Sequence, residues 1–256
     1  MYNHVSDIGG IALDVGFSFA SAYAAIMKES VQALNEKLTG SRFLKGVNGP
    51  GGVTKDIEDH KDVLDTLKKL SHDLKELKEM LFSSVSFMDR VETTGVLRKK
   101  TAEDFGVVGL AGRASGIALD LRKNFVHVYA GKGFEMETQS DGDVLARLNV
   151  RLAEFEESIR MIVELLAGWG ASRSALTRSA LTGATPGSAL GYAEGWRGPV
   201  LYWVRLDGEG KIERCKIVDP SFHNWPGLSY AVLENIIPDF PVCNKSFDLS
   251  YSGNDL

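Results

Sequence analysis

The sequence predicts a mainly α fold, an antiparallel bundle of long helices with a small antiparallel β-hairpin appended near the C-terminus. Three observations carry that expectation. Two long stretches repeat apolar residues at threes and fours, the spacing that lines one face of a helix. The loops between them permit antiparallel return. Near the end, two β-branched and aromatic runs flank a DGEG turn, the pattern of a hairpin. The bundle is expected over residues 1–175, with the hairpin, a short helix and the tail packed on it over 190–256, one domain overall.

Residues 5–38 read as one long helix, ended by Thr39-Gly40 in the manner of a glycine C-cap. GVNGPGG (46–52) is a loop. A second helix is expected from about Asp56 to Arg90, with Ile57, Leu64, Leu67, Leu70, Leu74, Leu77, Leu81, Val85 and Met88 on its apolar face. Residues 93–141 read as irregular, with glycines throughout. A third helix runs from Asp143 to about Ala167 with the cleanest pattern: Leu145, Leu148, Leu152, Phe155, Ile159, Ile162 and Leu166. A Ser/Thr/Gly/Ala-rich linker follows Gly168 and ends near Gly191. Strands are expected at PVLYWVRL (199–206) and KIERCKIV (211–218), then a turn over Phe222–Pro226 and a short helix from Leu228 to Ile237, stopped by Pro238.

Composition narrows the class. The 256 residues suffice for a sizeable core, and 44% hydrophobic with 25% charged residues is an ordinary globular balance. A net charge of −5, with no Lys/Arg cluster, gives no footprint for nucleic acid. Two cysteines, Cys215 and Cys243, are too few for a disulfide framework and point to a reducing compartment. The opening MYNHVSDIGG lacks the basic and apolar regions of a signal peptide. Ile8 to Met27 has the length of a membrane span, but its glycines, serines and Asp14 favour a helix buried within protein.

No phosphate loop, HExxH, CxxC or strand-bound GxGxxG is present. Three groups of residues remain as candidates. His4 and Asp14 are ten residues apart, close to three helical turns, which places both near one face. A carboxylate in an apolar helix needs a partner or a proton, so Asp14 reads either as functional or as paired with a nearby arginine. Glu194 and Arg197 stand among glycines just before a strand, either open to a ligand or paired with each other in a surface turn. Arg113, Asp120 and Arg122 form either a site or an ion-pair network fixing an irregular loop.

Taken in order, NHVSDIGGIALDVGF, GVNGPGGV, RASGIALDLRKNF, VRLAEFEESIRMI, EGWRGPVLYWVRLDGEGKIERCKIVDPSFHNWPGL and DFPVCNKSFDLSYSGNDL make the chain resemble one family. It is the large subunit shared by nickel–iron hydrogenases and the 49-kDa subunit of respiratory complex I, most nearly its membrane-bound, formate-hydrogenlyase-like branch. The resemblance implies a subunit passing electrons between an iron–sulfur partner and either protons or a quinone. In the hydrogenases two CxxC pairs hold nickel and iron as thiolates, soft ligands suited to such a centre. In the closing motif Ser250 and Gly253 stand where those cysteines would be, and Cys243 matches no ligand position, so no metal is expected here. The N-terminal pair would precede Tyr2, so the chain reads as about the C-terminal half of such a subunit.

By the same resemblance Asp14 matches an aspartate near the quinone headgroup, and His4 a histidine in the preceding turn. Arg197 matches the arginine overhanging the hydrogenase metal site, and Asp248 the aspartate beside it. Asp14 and His4 are then expected to relay protons to a quinone, with Arg197, Glu194 and Asp248 binding the ligand. The expected setting is peripheral, on the cytoplasmic face of a membrane, with a small iron–sulfur subunit and membrane-arm subunits as partners. No cofactor is expected on this chain alone, and quinone only in the assembled complex. The other open reading is a non-catalytic scaffold that docks the iron–sulfur subunit and the membrane arm.

Overall fold

The computed structural model describes residues 1–49, 52–55, 60–125, 129, 133–168 and 185–256. The centre of the 46–52 loop, the helix start near Asp56 and most of the 168–191 linker lie outside the described residues. The described part is mainly helical, with two small antiparallel sheets.

The opening helix is two helices, a correction to the single-helix reading. Helix α1 spans Tyr2–Asp14 and α2 spans Ser18–Thr39. Between them Gly16 takes φ 83°, a left-handed turn that glycine adopts at no steric cost, and the Phe17 amide bonds back to the Ala12 carbonyl at 2.7 Å. The chain then doubles back along α1. A Cβ on Gly9 would lie 2.9 Å from Ala24 Cβ, so the missing side chain lets the two helices close. Helix α2 stops at Gly40, φ 74°, whose amide caps the Glu36 carbonyl. Two-residue strands β1 (Asn48–Gly49) and β2 (Gly52–Val53) pair antiparallel.

The second long helix is also divided, into α3 (His60–Ser83) and α4 (Val85–Val91). Ser84 makes the break by accepting the Phe87 amide as an N-cap. Val85 therefore leaves the apolar stripe and is 83% exposed. The region expected to be irregular contains short helices α5 (Lys99–Asp104), α6 (Gly109–Ala114) and α7 (Leu121–Asn124). Helix α8 spans Val144–Ala167, within a residue of expectation, and starts where Asp143 accepts the Ala146 amide at 2.7 Å. Val5, Ile8, Met27, Leu70, Leu74, Leu77, Leu148, Leu152 and Phe155 bring α1, α2, α3 and α8 into one core.

The hairpin has a third strand. β3 (Gly187–Gly195), β4 (Gly198–Leu206) and β5 (Ile212–Val218) form an antiparallel meander in that order. β3 lies mostly in the stretch expected as linker, because GSALGYAEG carries three glycines and shows no alternation of burial. The expected turn at Phe222–Pro226 lies inside helix α9 (Pro220–Ala231), which Asp219 caps and Pro220 enters. That helix ends well before Ile237, and Ile237–Asp239 form a 3-10 turn. Two helices finish the chain, α10 (Phe240–Phe247) and α11 (Tyr251–Asn254). α10 packs on α1, α8 and α9, and α11 on α9.

Candidate functional site

Two groups of charged side chains lie against α1 and α8, separated by little more than a helical turn. The lower group is buried. Arg113 reaches three carboxylates: Glu154 at 2.6 Å, Glu194 at 2.9 Å and Asp120 at 3.3 Å. Arg122 meets Asp120 at 2.6 Å and Glu154 at 3.5 Å. His4 Nε2 lies 3.2 Å from the other side of Glu154. Burial alone would raise the Glu154 carboxyl, but Arg113, His4 and Arg122 hold it well below the usual range. Burial pushes His4 down to about 4, against the pull of Glu154, so the ring is neutral near pH 7. Glu194, paired with Arg113, is nonetheless raised by burial.

The upper group is half open to solvent. Arg197 sits in the turn from β3 to β4 and grips Asp248 twice. Its Nε donates to the Asp248 carbonyl, and its terminal nitrogen lies 3.1 Å from the Asp248 carboxylate. The guanidinium also covers the Trp196 ring at 4.4 Å. Lys245, one turn back on α10, reaches the other Asp248 oxygen at 2.9 Å. Asp248 itself takes φ 51°, ψ 48°, a left-handed conformation that aspartate tolerates, and it ends α10. Burial would raise its carboxyl, but Lys245 and the neighbouring groups lower it. Beneath it, Asp7 on α1 is 4% exposed and accepts from Arg151 Nε at 3.1 Å.

Backbone contact puts Arg197 in place. Gly109, φ 64°, opens α6 directly against the Arg197 carbonyl and Gly198, and any side chain there would collide with that turn. Arg147 on α8 secures the tail. It is fully buried, donates to Ser246 at 2.8 Å and to the carbonyls of Gly142 at 2.7 Å and Gly95 at 2.9 Å, and lies 4.2 Å over the Phe247 ring.

The structure thus separates some residues expected as partners and joins others. His4 and Asp14 are not on one face: His4 is buried on Glu154, whereas Asp14 is exposed at the end of α1. Ten residues at 100° each leave them about 80° apart around the axis. Burial raises the Asp14 carboxyl somewhat, and Lys245 is the charge that opposes it. Glu194 and Arg197 do not pair with each other; one serves Arg113 and the other Asp248. Arg113, Asp120 and Arg122 do come together, and Glu154 bridges the two arginines as Asp120 does. Asp7, Arg147, Arg151 and Glu154 are additions that the sequence alone does not single out. A signal exists: Arg147, Arg151 and Glu154 recur at i, i+4 and i+7 beside the apolar stripe of α8, all of them buried.

The tail also bears on metal. Ser250 caps α11, its hydroxyl accepting the Gly253 amide at 3.0 Å. A Cβ on Gly253 would lie 2.7 Å from the Asp219 carboxyl carbon, so a cysteine side chain there would have to displace the cap of α9. Cys243 is buried and Cys215 exposed. Among the described residues no three His, Cys, Asp or Glu side chains gather as a metal site. A thiolate-held nickel–iron centre does not fit this donor set. No helix among the described residues is long and apolar enough to cross a membrane.

Comparison with known proteins gives a consistent picture. The model of the respiratory-chain NADH dehydrogenase 49 kDa subunit family matches residues 14–178. Formate hydrogenlyase subunit 5 of Escherichia coli is 28% identical across the whole chain, which spans 45% of that protein. An NADH-quinone oxidoreductase subunit of Deinococcus radiodurans is 31% identical over 90% of the chain and 65% of its own length. Among solved structures, one of the membrane-bound sulfane sulfur reductase, an archaeal respiratory membrane complex, superposes with a TM-score of 0.89 at 31% identity. The match covers 99% of this chain and 71% of that one. The chain therefore spans between about half and 71% of these relatives.

Proposed function

Because the chain belongs to the family of the 49 kDa subunit of respiratory-chain NADH dehydrogenase, we propose that it serves a membrane-associated quinone oxidoreductase or hydrogenase-related complex. In this reading it carries no nickel–iron centre and contributes part of a quinone site. The supporting observation is the Arg197–Asp248 clamp on a tail whose thiolate positions are Ser250 and Gly253, the latter closed by Asp219. Arg197 is a fixed cation at the edge of the α1–α10 seam, suited to a headgroup oxygen that gains negative charge. In this reading Asp14, exposed at the end of α1 and opposed by the charge of Lys245, is the group that passes a proton to that oxygen. His4 is held on Glu154 and acts on the site only through the α1–α8 contacts.

Partners follow from the same reading: an iron–sulfur subunit as electron donor and a membrane arm, with the chain on the cytoplasmic face. The scaffold alternative is favoured by one observation, the exposed apolar group Leu233, Ile236, Ile237 and Phe240, with Ile237 90% exposed. Quinone binding separates the two readings. Calorimetric titration of a short-chain quinone analogue into the purified protein should show saturable binding, weakened roughly 10- to 100-fold in Arg197→Met, the value of a hydrogen bond to a charged group. No binding to the folded wild type would leave the scaffold reading, and equal binding to the variant would overturn the role of Arg197.

A further inference from the structure

The opening of α9, Asp219-Pro220-Ser221-Phe222-His223-Asn224, faces both sides of the Arg197–Asp248 clamp. On the Arg197 side, Gly198 is wedged between α6 and α9. A Cβ on it would lie 3.0 Å from the Gly109 Cα and 3.0 Å from the Pro220 Cβ. Asn224, one turn on from Pro220 and 1% exposed, holds the Val108 backbone twice. Its Oδ1 accepts the Val108 amide at 2.9 Å, and its Nδ2 donates to the Val108 carbonyl at 3.2 Å. Val108 leads directly into Gly109, whose backbone meets the Arg197 carbonyl.

On the Asp248 side the same helix takes hold of the tail. Ser221 is fully buried, and its hydroxyl accepts the Ser250 amide at 3.0 Å, two residues beyond Asp248. Asp219 closes against Gly253. Arg197 and Asp248 are 51 residues apart in sequence, one in a hairpin turn and the other at a left-handed helix end. An arginine grips through Nε and a terminal nitrogen at once only where the two backbones stand at a suitable separation. Glu194 fixes the hairpin as well, on Arg113 at 2.9 Å and on the Leu121 amide at 3.2 Å, but both of those bonds lie on the Arg197 side. The α9 contacts reach both sides, so they set the separation.

We propose that the opening of α9 is the common frame of the clamp, with Asn224 the positioning residue for Arg197 and Ser221 the positioning residue for Asp248. Asn224 acts through Val108 and Gly109, and Ser221 through the Ser250 backbone. Side chains locked by such supporting bonds hold a functional geometry that a long, flexible arginine does not hold by itself. The inference deepens the quinone-site reading and rests on it for its use.

The Arg197 Nε–H, which donates to the Asp248 carbonyl, reports the clamp directly. Nuclear magnetic resonance of the purified full chain, labelled with nitrogen-15 arginine, reads its position and its hydrogen exchange; Arg197→Met identifies the signal by its loss. In Asn224→Ala and in Ser221→Ala the signal should shift, and its exchange should quicken roughly 10-fold, the weight of one lost hydrogen bond. Leu228→Ala removes buried core contacts from the same helix but neither bond, and should leave the signal in place. An unchanged signal in either polar variant, or the same shift and acceleration in Leu228→Ala, would overturn the frame. If Asn224→Ala does not fold, Ser221→Ala and Leu228→Ala decide. No quinone is present, so failure here is separate from failure of the quinone site, which the Arg197→Met titration reads.

Discussion

His4 shows how a single buried residue sets a pH dependence. Its folded pKa of about 4 lies below the ordinary 6.5, so the fold favours the neutral ring. The stabilisation is present above about pH 6.5 and is lost as pH falls through about 4, because the unfolded chain takes up a proton that the folded one refuses. Asp7 works in the other direction: its raised pKa stabilises the fold at low pH and gives that up as pH rises through about 6. His4→Gln should therefore flatten the fall in urea midpoint between about pH 6.5 and 4, removing on the order of 3 kcal/mol of pH dependence. An unchanged slope would mean that His4 titrates as an exposed histidine. At this scale the sequence makes Arg113, Asp120, Arg122, Glu194 and Arg197 conspicuous, because each charge stands among glycines. Glu154 and Arg151 stay hidden, because on α8 the eye follows Leu148, Leu152 and Phe155, and a charge beside a stripe reads as solvated.

Among the elements, apolar periodicity locates the long helices but not their interruptions. α1 and α2 share one continuous apolar pattern, and only the left-handed Gly16 ends the first; likewise Ser84 divides α3 from α4 by capping rather than by breaking the pattern. Helices α5–α7 are only four to six residues long and β3 carries three glycines, so their conformation depends on what they pack against. The α6–β4 contact is the most demanding of these. Gly109→Ala adds both the strain of a left-handed alanine and a clash with the Arg197 carbonyl, whereas Gly106→Ala adds strain alone, since φ is 64° at both and open space surrounds Gly106. Gly106→Ala should cost about 1–2 kcal/mol, and Gly109→Ala clearly more, with quinone binding weakened as in Arg197→Met. Equal effects of the two substitutions on thermal unfolding and on binding would show that the close approach does not hold Arg197.

For the molecule as a whole, the sequence and the structure agree on a mainly helical body that carries a small antiparallel sheet, and the ordered series of motifs points to the family that the comparisons identify. What the series cannot convey is how the tail closes. Asp219 fills the space at Gly253, Arg147 ties Ser246 to the loops around Gly95 and Gly142, and Arg197 binds Asp248 through backbone and side chain. These long-range contacts turn the segment that in the hydrogenases of the resembled family would hold thiolates into a packed ion pair. The central claim is that this tail works without nickel and iron at thiolate positions. It is tested most directly by metal analysis of the protein purified, with its partner subunits, from cells grown with ample nickel. The expected result is nickel far below one atom per chain in preparations that still bind quinone. One nickel per chain, retained through purification, would contradict it.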